Sequence, residues 1–269
     1  MSPPFHPARS LLLVLSLCLT LPGVSRAGAA GGGRDLILKN GLRVILVPHH
    51  ANPMVASSVV VGAGVVHEPE GMSGASHFLE HLLFNGTKRR SQRELYDEVD
   101  RYGAYNNATT REDHTLYTLL VQKEFADAGL DIQADMLFHS TLPPDKFEKE
   151  KGIVLEELAK DRNDPAFIAG EGFRAFAYAR TPLGRPVLGS AESIAAFRRE
   201  DVLGYYKTRY VPANMVLVVM GDFDSEQMME SVGRTFGAAK AGKAPPPAVR
   251  TWPAPPEKNF RSRPLTIAP

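Results

Sequence analysis

Cysteine is almost missing from this chain of 269 residues: the only one, Cys18, lies in an apolar N-terminal stretch. A product trimmed of that stretch holds no disulfide and no catalytic thiol, and it suits an oxidising compartment. An excess of either charge sign is missing too. With 31 basic against 30 acidic side chains, no electrostatic footprint for nucleic acid or an anionic membrane emerges. The apolar stretch itself, "SLLLVLSLCLTL" at 10–21, falls short of the roughly 20 residues that a membrane-spanning helix needs. Arg9 precedes it and Pro22, Gly23 and small residues follow, with Ser25-Arg26-Ala27 or Ala27-Gly28-Ala29 as cleavage sites. That layout predicts an export signal over 1–29, and hence a periplasmic or secreted protein with no stable membrane span after cleavage.

What remains has the make-up of a folded domain, 43% hydrophobic and 23% charged. "DLILKNGLRVILVPHH" reads as two strands around an Asn40-Gly41 turn, and "NPMVASSVVVGAGVV" as a third, largely buried strand. A helix is predicted at 73–84 and another from about 91, where Ser91 and Glu94 form a capping-box pattern. Strands flank "RED" at 104–110 and 114–121. Helices follow at 123–138, 144–162 and 165–179, then near 199–209, before the strand "NMVLVVMGDF" and a helix from Ser225. Hairpins mixed with helices favour an α+β layer over a doubly wound parallel sheet. The expected organisation is a globular module over 30–238 and a Pro-rich linker or tail over 239–269.

Chemistry concentrates in "ASHFLEHLLFNGT", residues 75–87. At about 100° per residue, His77, Glu80 and His81 share one stripe, while Phe78, Leu79, Leu82 and Leu83 fill the rest of the circumference. A helix apolar nearly all round is buried, and a buried charge requires a partner. Histidines at i and i+4 can converge on one ion, so a divalent metal is the economical partner, with Glu80 placed beside it to handle a proton. This inverse of the HExxH order is a zinc-peptidase signature. A third ligand is expected from "DKFEKEKGIVLEELAKD", residues 145–161. There Phe147, Val154 and Leu158 define a buried face flanked by Glu150 and Glu157, with Glu156 on the opposite side. Two helical turns separate Glu150 from Glu157, about 10 Å of rise, so periodicity leaves open which of them binds.

Taken together, "GASHFLEHLLFNGT", "EKEKGIVLEELAKDRNDP" and "LGRPVLGSAESIAAFRREDVLGYYKTRYVPANMVLVVMGDFD" resemble the pitrilysin family, especially its processing-peptidase-like branch. The resemblance runs from about Asp35 to Ala238. It implies a ferredoxin-like layered α+β module with a mixed, mainly antiparallel sheet, and a zinc endopeptidase activity. It also implies His77, His81 and Glu157 as Zn2+ ligands, Glu80 as general base and Glu150 as a supporting acid. The strand with Asn107, Ala108 and Thr109 would bind an extended peptide by β-augmentation. In this family the catalytic module works with a second related module that lacks the zinc motif, which makes such a partner the expectation here. The alternative is a non-proteolytic peptide-binding or assembly subunit. "TPLG" at 181–184 departs from the family's usual His-Pro-Tyr-Gly. His49, His50, His67, His114 and His139 read as ordinary hydrogen-bonding histidines, and the charge clusters at 88–90 and 197–201 as solvated surface.

Overall fold

The computed structural model describes residues 33–179 and 181–246; the export-signal reading and most of the Pro-rich tail lie outside the described residues. Six strands form one sheet: β1 (Arg34–Ile37), β2 (Arg43–Pro48), β3 (Met54–Val61), β4 (Tyr105–Thr110), β5 (Thr115–Gln122) and β6 (Met215–Gly221). Their order is β1-β2-β6-β3-β5-β4, and every neighbouring pair is antiparallel except β2 with β6. The mixed, mainly antiparallel α+β architecture expected from the sequence is therefore the observed one. The β1–β2 hairpin turns at Gly41, whose φ of +93° suits a residue without Cβ. Asn40 anchors that turn by donating to the carbonyls of Phe236 and Ala239.

Burial alternates residue by residue, as a pleated sheet requires. Val55, Ser57, Val59 and Val61 of β3 are buried on the same face as Tyr117, Leu119, Val121, Leu217 and Val219. Their neighbours on the other face keep partial access to solvent, and Leu120 and Met220 are 37% and 46% exposed.

Eight helices were found among the described residues: α1 (Ala75–Leu83), α2 (Gln92–Arg101), α3 (Ala126–His139), α4 (Pro144–Asp161), α5 (Pro165–Ala177), α6 (Ala191–Ala196), α7 (Arg199–Arg209) and α8 (Ser225–Arg234). The capping box of α2 is present in full, with Ser91 and Glu94 each bonding the other's backbone. The short α6, capped by Ser190, is not legible in hydrophobic periodicity because it is barely more than one turn long. No residue of α5 is buried, and Phe173 and Phe176 stand exposed. No described helix is long and apolar enough to cross a membrane.

The charges at 88–90 are a solvated surface only in part: Lys88 and Arg89 are exposed, as the sequence expectation has it, while the Arg90 side chain is only 14% exposed. Arg90 bonds Asp131 (2.7 Å), Asp135 (2.9 Å) and Glu98 (3.1 Å), while Arg89 bonds Asp131 (2.9 Å) and Asp135 (3.0 Å). The segment after α1 folds against α3, so acids more than forty residues away meet it. In the 197–201 cluster, Arg198 does pair with Asp201 at the surface. Arg199 instead donates to the carbonyls of Thr141 and Leu142 (2.7 and 2.6 Å).

Candidate metal centre and catalytic site

Helix α1 is the platform of the site. Phe78, Leu79, Leu82 and Leu83 are fully buried, and Phe78 meets Phe147 of α4 edge to face at 5.0 Å. That packing lays α4 along α1, with Val154 and Leu158 also buried. Two carboxylates thereby reach the histidines. Glu157 Oε2 lies 3.8 Å from His77 Nε2 and 3.5 Å from His81 Nε2. Glu150 Oε2 instead accepts from His81 Nδ1 at 3.2 Å, and Asn85 donates to Glu150 Oε1 at 3.1 Å and to the His81 carbonyl at 3.0 Å. Glu156 is exposed on the far side of α4.

The geometry suits a divalent ion. His77, His81 and Glu157 each offer one donor atom within 4.8 Å of the others. A tetrahedral ion with bonds of about 2.0–2.2 Å spaces its ligand atoms about 3.3–3.6 Å apart, so the observed separations need little adjustment. The two-nitrogen, one-oxygen donor set is one that zinc accepts in open sites. Glu150 holds the Nδ1 proton of His81 and so aims the Nε2 lone pair at the shared point. Burial, aided by His81, lowers the pKa of His77 to about 4, so its imidazole is neutral and free to ligate at neutral pH. Burial also lowers His81, but its hydrogen bond to Glu150 and the charges of Glu157, Glu150 and Glu80 outweigh it and raise the pKa.

Glu80 stands beside this trio. Burial raises its pKa, with Thr110 and His81 pulling the other way. The Thr110 hydroxyl donates to Glu80 Oε2, which ties the carboxylate to the end of β4.

β4 is the outermost strand on its side of the sheet. The Arg111 N–H bonds the His114 carbonyl across the hairpin at 2.8 Å. By antiparallel alternation, Asn107 and Thr109 then bond β5, while Asn106, Ala108 and Thr110 turn their backbone groups to the open edge. Of Asn107, Ala108 and Thr109, only Ala108 thus presents backbone to that edge. The Asn107 side chain is exposed and donates to the Tyr105 hydroxyl at 2.8 Å.

Three residues of the site escape sequence reasoning: Thr110, Asn85 and Glu68. Helix α1 begins at Gly74, whose φ is +91° and where a Cβ would meet the Leu188 carbonyl at 2.7 Å. Glycine offers no capping side chain. Glu68 supplies the cap from outside the helix, accepting from the N–H groups of Gly74 (3.0 Å) and Ser76 (2.9 Å). Burial pushes the Glu68 carboxyl up to about 7 against the pull of those two bonds. Because the folded pKa lies above the unfolded one, this group's contribution to stability is complete below about pH 4.5 and is lost as pH rises through 7. The span corresponds to about 3 kcal/mol. Denaturant midpoints at pH 5 and pH 8 should therefore show wild type losing its advantage over Glu68→Gln at the higher pH. Parallel pH profiles for the two proteins would refute this role.

Comparison with known proteins gives the context. Residues 43–191 match the family described as "Insulinase (Peptidase family M16)", and residues 196–268 match "Peptidase M16 inactive domain". The second match includes β6, which lies between β2 and β3 in the same sheet. An uncharacterized zinc protease of Bacillus subtilis, YmxG, is 36% identical over 77% of this chain and 50% of its own length. The crystal structure of a protease from Helicobacter pylori superposes with a TM-score of 0.77 at 29% identity, covering 80% of this chain and 53% of that one. The periplasmic protease PqqL from Escherichia coli gives 0.76 at 25% identity, covering 84% and 26%. The chain spans about half the length of the curated relatives it matches. With its paired histidines on a buried helix and its matched segment of more than half the sequence, the chain belongs to peptidase family M16, the insulinase or pitrilysin family.

Proposed function

We propose that this chain is the zinc-binding half of a metalloendopeptidase that hydrolyses peptides or unfolded protein segments. The observation that carries the reading is the convergence of His77, His81 and Glu157 on one point, with Glu80 beside them at the end of an open-edged strand. Bound zinc would supply Lewis acidity toward water and the scissile carbonyl. Glu80 takes the proton of the attacking water and passes it to the leaving amine, while Glu150 keeps His81 oriented. An extended peptide pairs with the edge groups of Asn106 and Ala108 and with the Thr110 carbonyl, which recognises backbone more than sequence. Asn107 and Thr109 offer side chains to the peptide from the solvent-facing side of β4.

A second related module without the zinc motif completes the enzyme in this reading. The half-open sheet face with Leu120 and Met220, and the exposed aromatic side chains of α5, support such a partner. The N-terminal segment and the periplasmic setting named for PqqL support export. The match of 196–268 to an inactive domain, and the half-length span, favour one rival reading: a peptide-binding or assembly subunit without turnover.

Zinc titration joined to cleavage of a mixed peptide library, with and without the second half of a full-length relative, tests the proposal. The expected result is one zinc per chain and zinc-dependent cleavage. Glu157→Gln should weaken zinc binding by more than about 100-fold, since loss of an outer partner alone costs 10–100-fold. Zinc bound without turnover under both conditions would favour the rival reading; no zinc at all would sink both the metal centre and the peptidase.

A further inference from the structure

Thr110 is 8% exposed and closes β4, thirty residues along the chain from Glu80. Of the two acceptors within reach of its hydroxyl hydrogen, the Glu80 carboxylate makes the shorter, charge-assisted contact. The Thr110 hydroxyl donates to Glu80 Oε2, while the nearest other hydroxyl, Thr115 Oγ1 at 3.4 Å, spends its own hydrogen on the Ala63 carbonyl at 2.9 Å. Tyr210 bonds Thr115 in turn, and Tyr117 and Tyr210 share a hydrogen bond at 2.8 Å. A buried set of hydroxyls therefore holds Thr115 from the core side, and the shorter contact to a carboxylate makes Glu80 the preferred acceptor of the Thr110 hydrogen over Thr115 at 3.4 Å. The Thr110 backbone N–H, turned outward by the strand alternation, approaches the same carboxylate.

We infer that Thr110 is a positioning residue for Glu80, locking the carboxylate in the rotamer that faces the metal site and fixing it in register with the strand edge that receives the peptide. The inference rests on reading Glu80 as the general base. A glutamate has three side-chain rotors, and one wrong torsion moves its oxygens by more than the tolerance of proton transfer. Since one residue ends the docking strand and holds the base, peptide and base share one frame.

Thr110→Val keeps the shape and removes the hydroxyl; Thr110→Ser keeps the hydroxyl. With zinc loaded and the second half supplied where turnover needs it, Thr110→Val should lower kcat about 10- to 100-fold, the scale set by a 1 Å misplacement. KM and zinc affinity should stay within about twofold, and Thr110→Ser should recover most of the rate. An independent readout uses the metal-free chain at pH 8. The infrared carboxylate band assigned to Glu80, by difference against Glu80→Gln, should shift in Thr110→Val and stay in place in Thr110→Ser. Glu80-dependent cleavage with an unchanged kcat in Thr110→Val would overturn the positioning role while leaving the peptidase reading intact. If wild type shows no cleavage, the infrared band decides: a shift in Thr110→Val alone supports the positioning, and an unmoved band, or equal shifts in both variants, overturns it.

Discussion

Glu80→Gln is expected to abolish peptide hydrolysis, by at least about 10²- to 10⁴-fold in kcat, while the protein still binds one zinc per chain. Glutamine matches the carboxylate in shape and can still accept from Thr110 through its amide oxygen, so the local packing survives. What it lacks is a basic oxygen that can take a proton. The three candidate ligands His77, His81 and Glu157 are untouched, and Glu150 and Asn85 still hold His81. Zinc content and cleavage rate, measured on the same preparations, therefore separate the base from the metal. Loss of zinc together with activity would place Glu80 in the coordination sphere instead; undiminished cleavage would remove it from the chemistry.

The contrast between His81 and Thr110 shows what a linear sequence can carry. His77, Glu80 and His81 lie within two turns of one helix, and 3.6-residue periodicity alone puts them on one stripe. The same periodicity separates Glu156, which is exposed, from the face carrying Glu150 and Glu157. It leaves the division between Glu150 and Glu157 open, because that depends on where α4 lies along α1. Packing of Phe78 against Phe147 sets the offset, and it puts Glu157 at the two Nε2 atoms and Glu150 at Nδ1. Thr110 is beyond any local pattern, since its contact needs the β4–β5 register and the placement of α1 over the strand end. Glu68 is hidden differently. A capping search inspects the residue next to the helix, which here is Gly74, and the cap arrives from six residues upstream. The strand and helix order was legible because alternation and helical periodicity are local, whereas partners of the arginines at 89 and 90 are not.

Those arginines lead to a large expected stability effect. Asp135→Ala should destabilise the fold by about 3 kcal/mol, the lower end of the range for removing one partner from a buried ion pair. Asp135 is completely buried and holds Arg89 (3.0 Å), Arg90 (2.9 Å), the Thr87 hydroxyl (2.7 Å) and His139 (3.0 Å) at once. Removing it strands Arg90, whose side chain is only 14% exposed, although Asp131 and Glu98 keep part of its compensation. This is why the lower end applies. Burial opposes the Asp135 charge, but the bonds from Thr87, Arg90 and Arg89 outweigh it and lower the pKa. A depressed folded pKa means that the contribution is present above the unfolded value of about 3.8 and disappears as pH falls through the folded value. The denaturant midpoint gap between wild type and Asp135→Ala should accordingly be wide at pH 7 and narrow toward pH 3. A gap that is small at pH 7 would mean that Asp131 alone holds the two arginines. Because the bonds of Asp135 go to Thr87, Arg89, Arg90 and His139 and none goes to His77, His81 or Glu157, zinc affinity of the folded variant should match wild type, making the clamp a scaffold element separable from the metal centre.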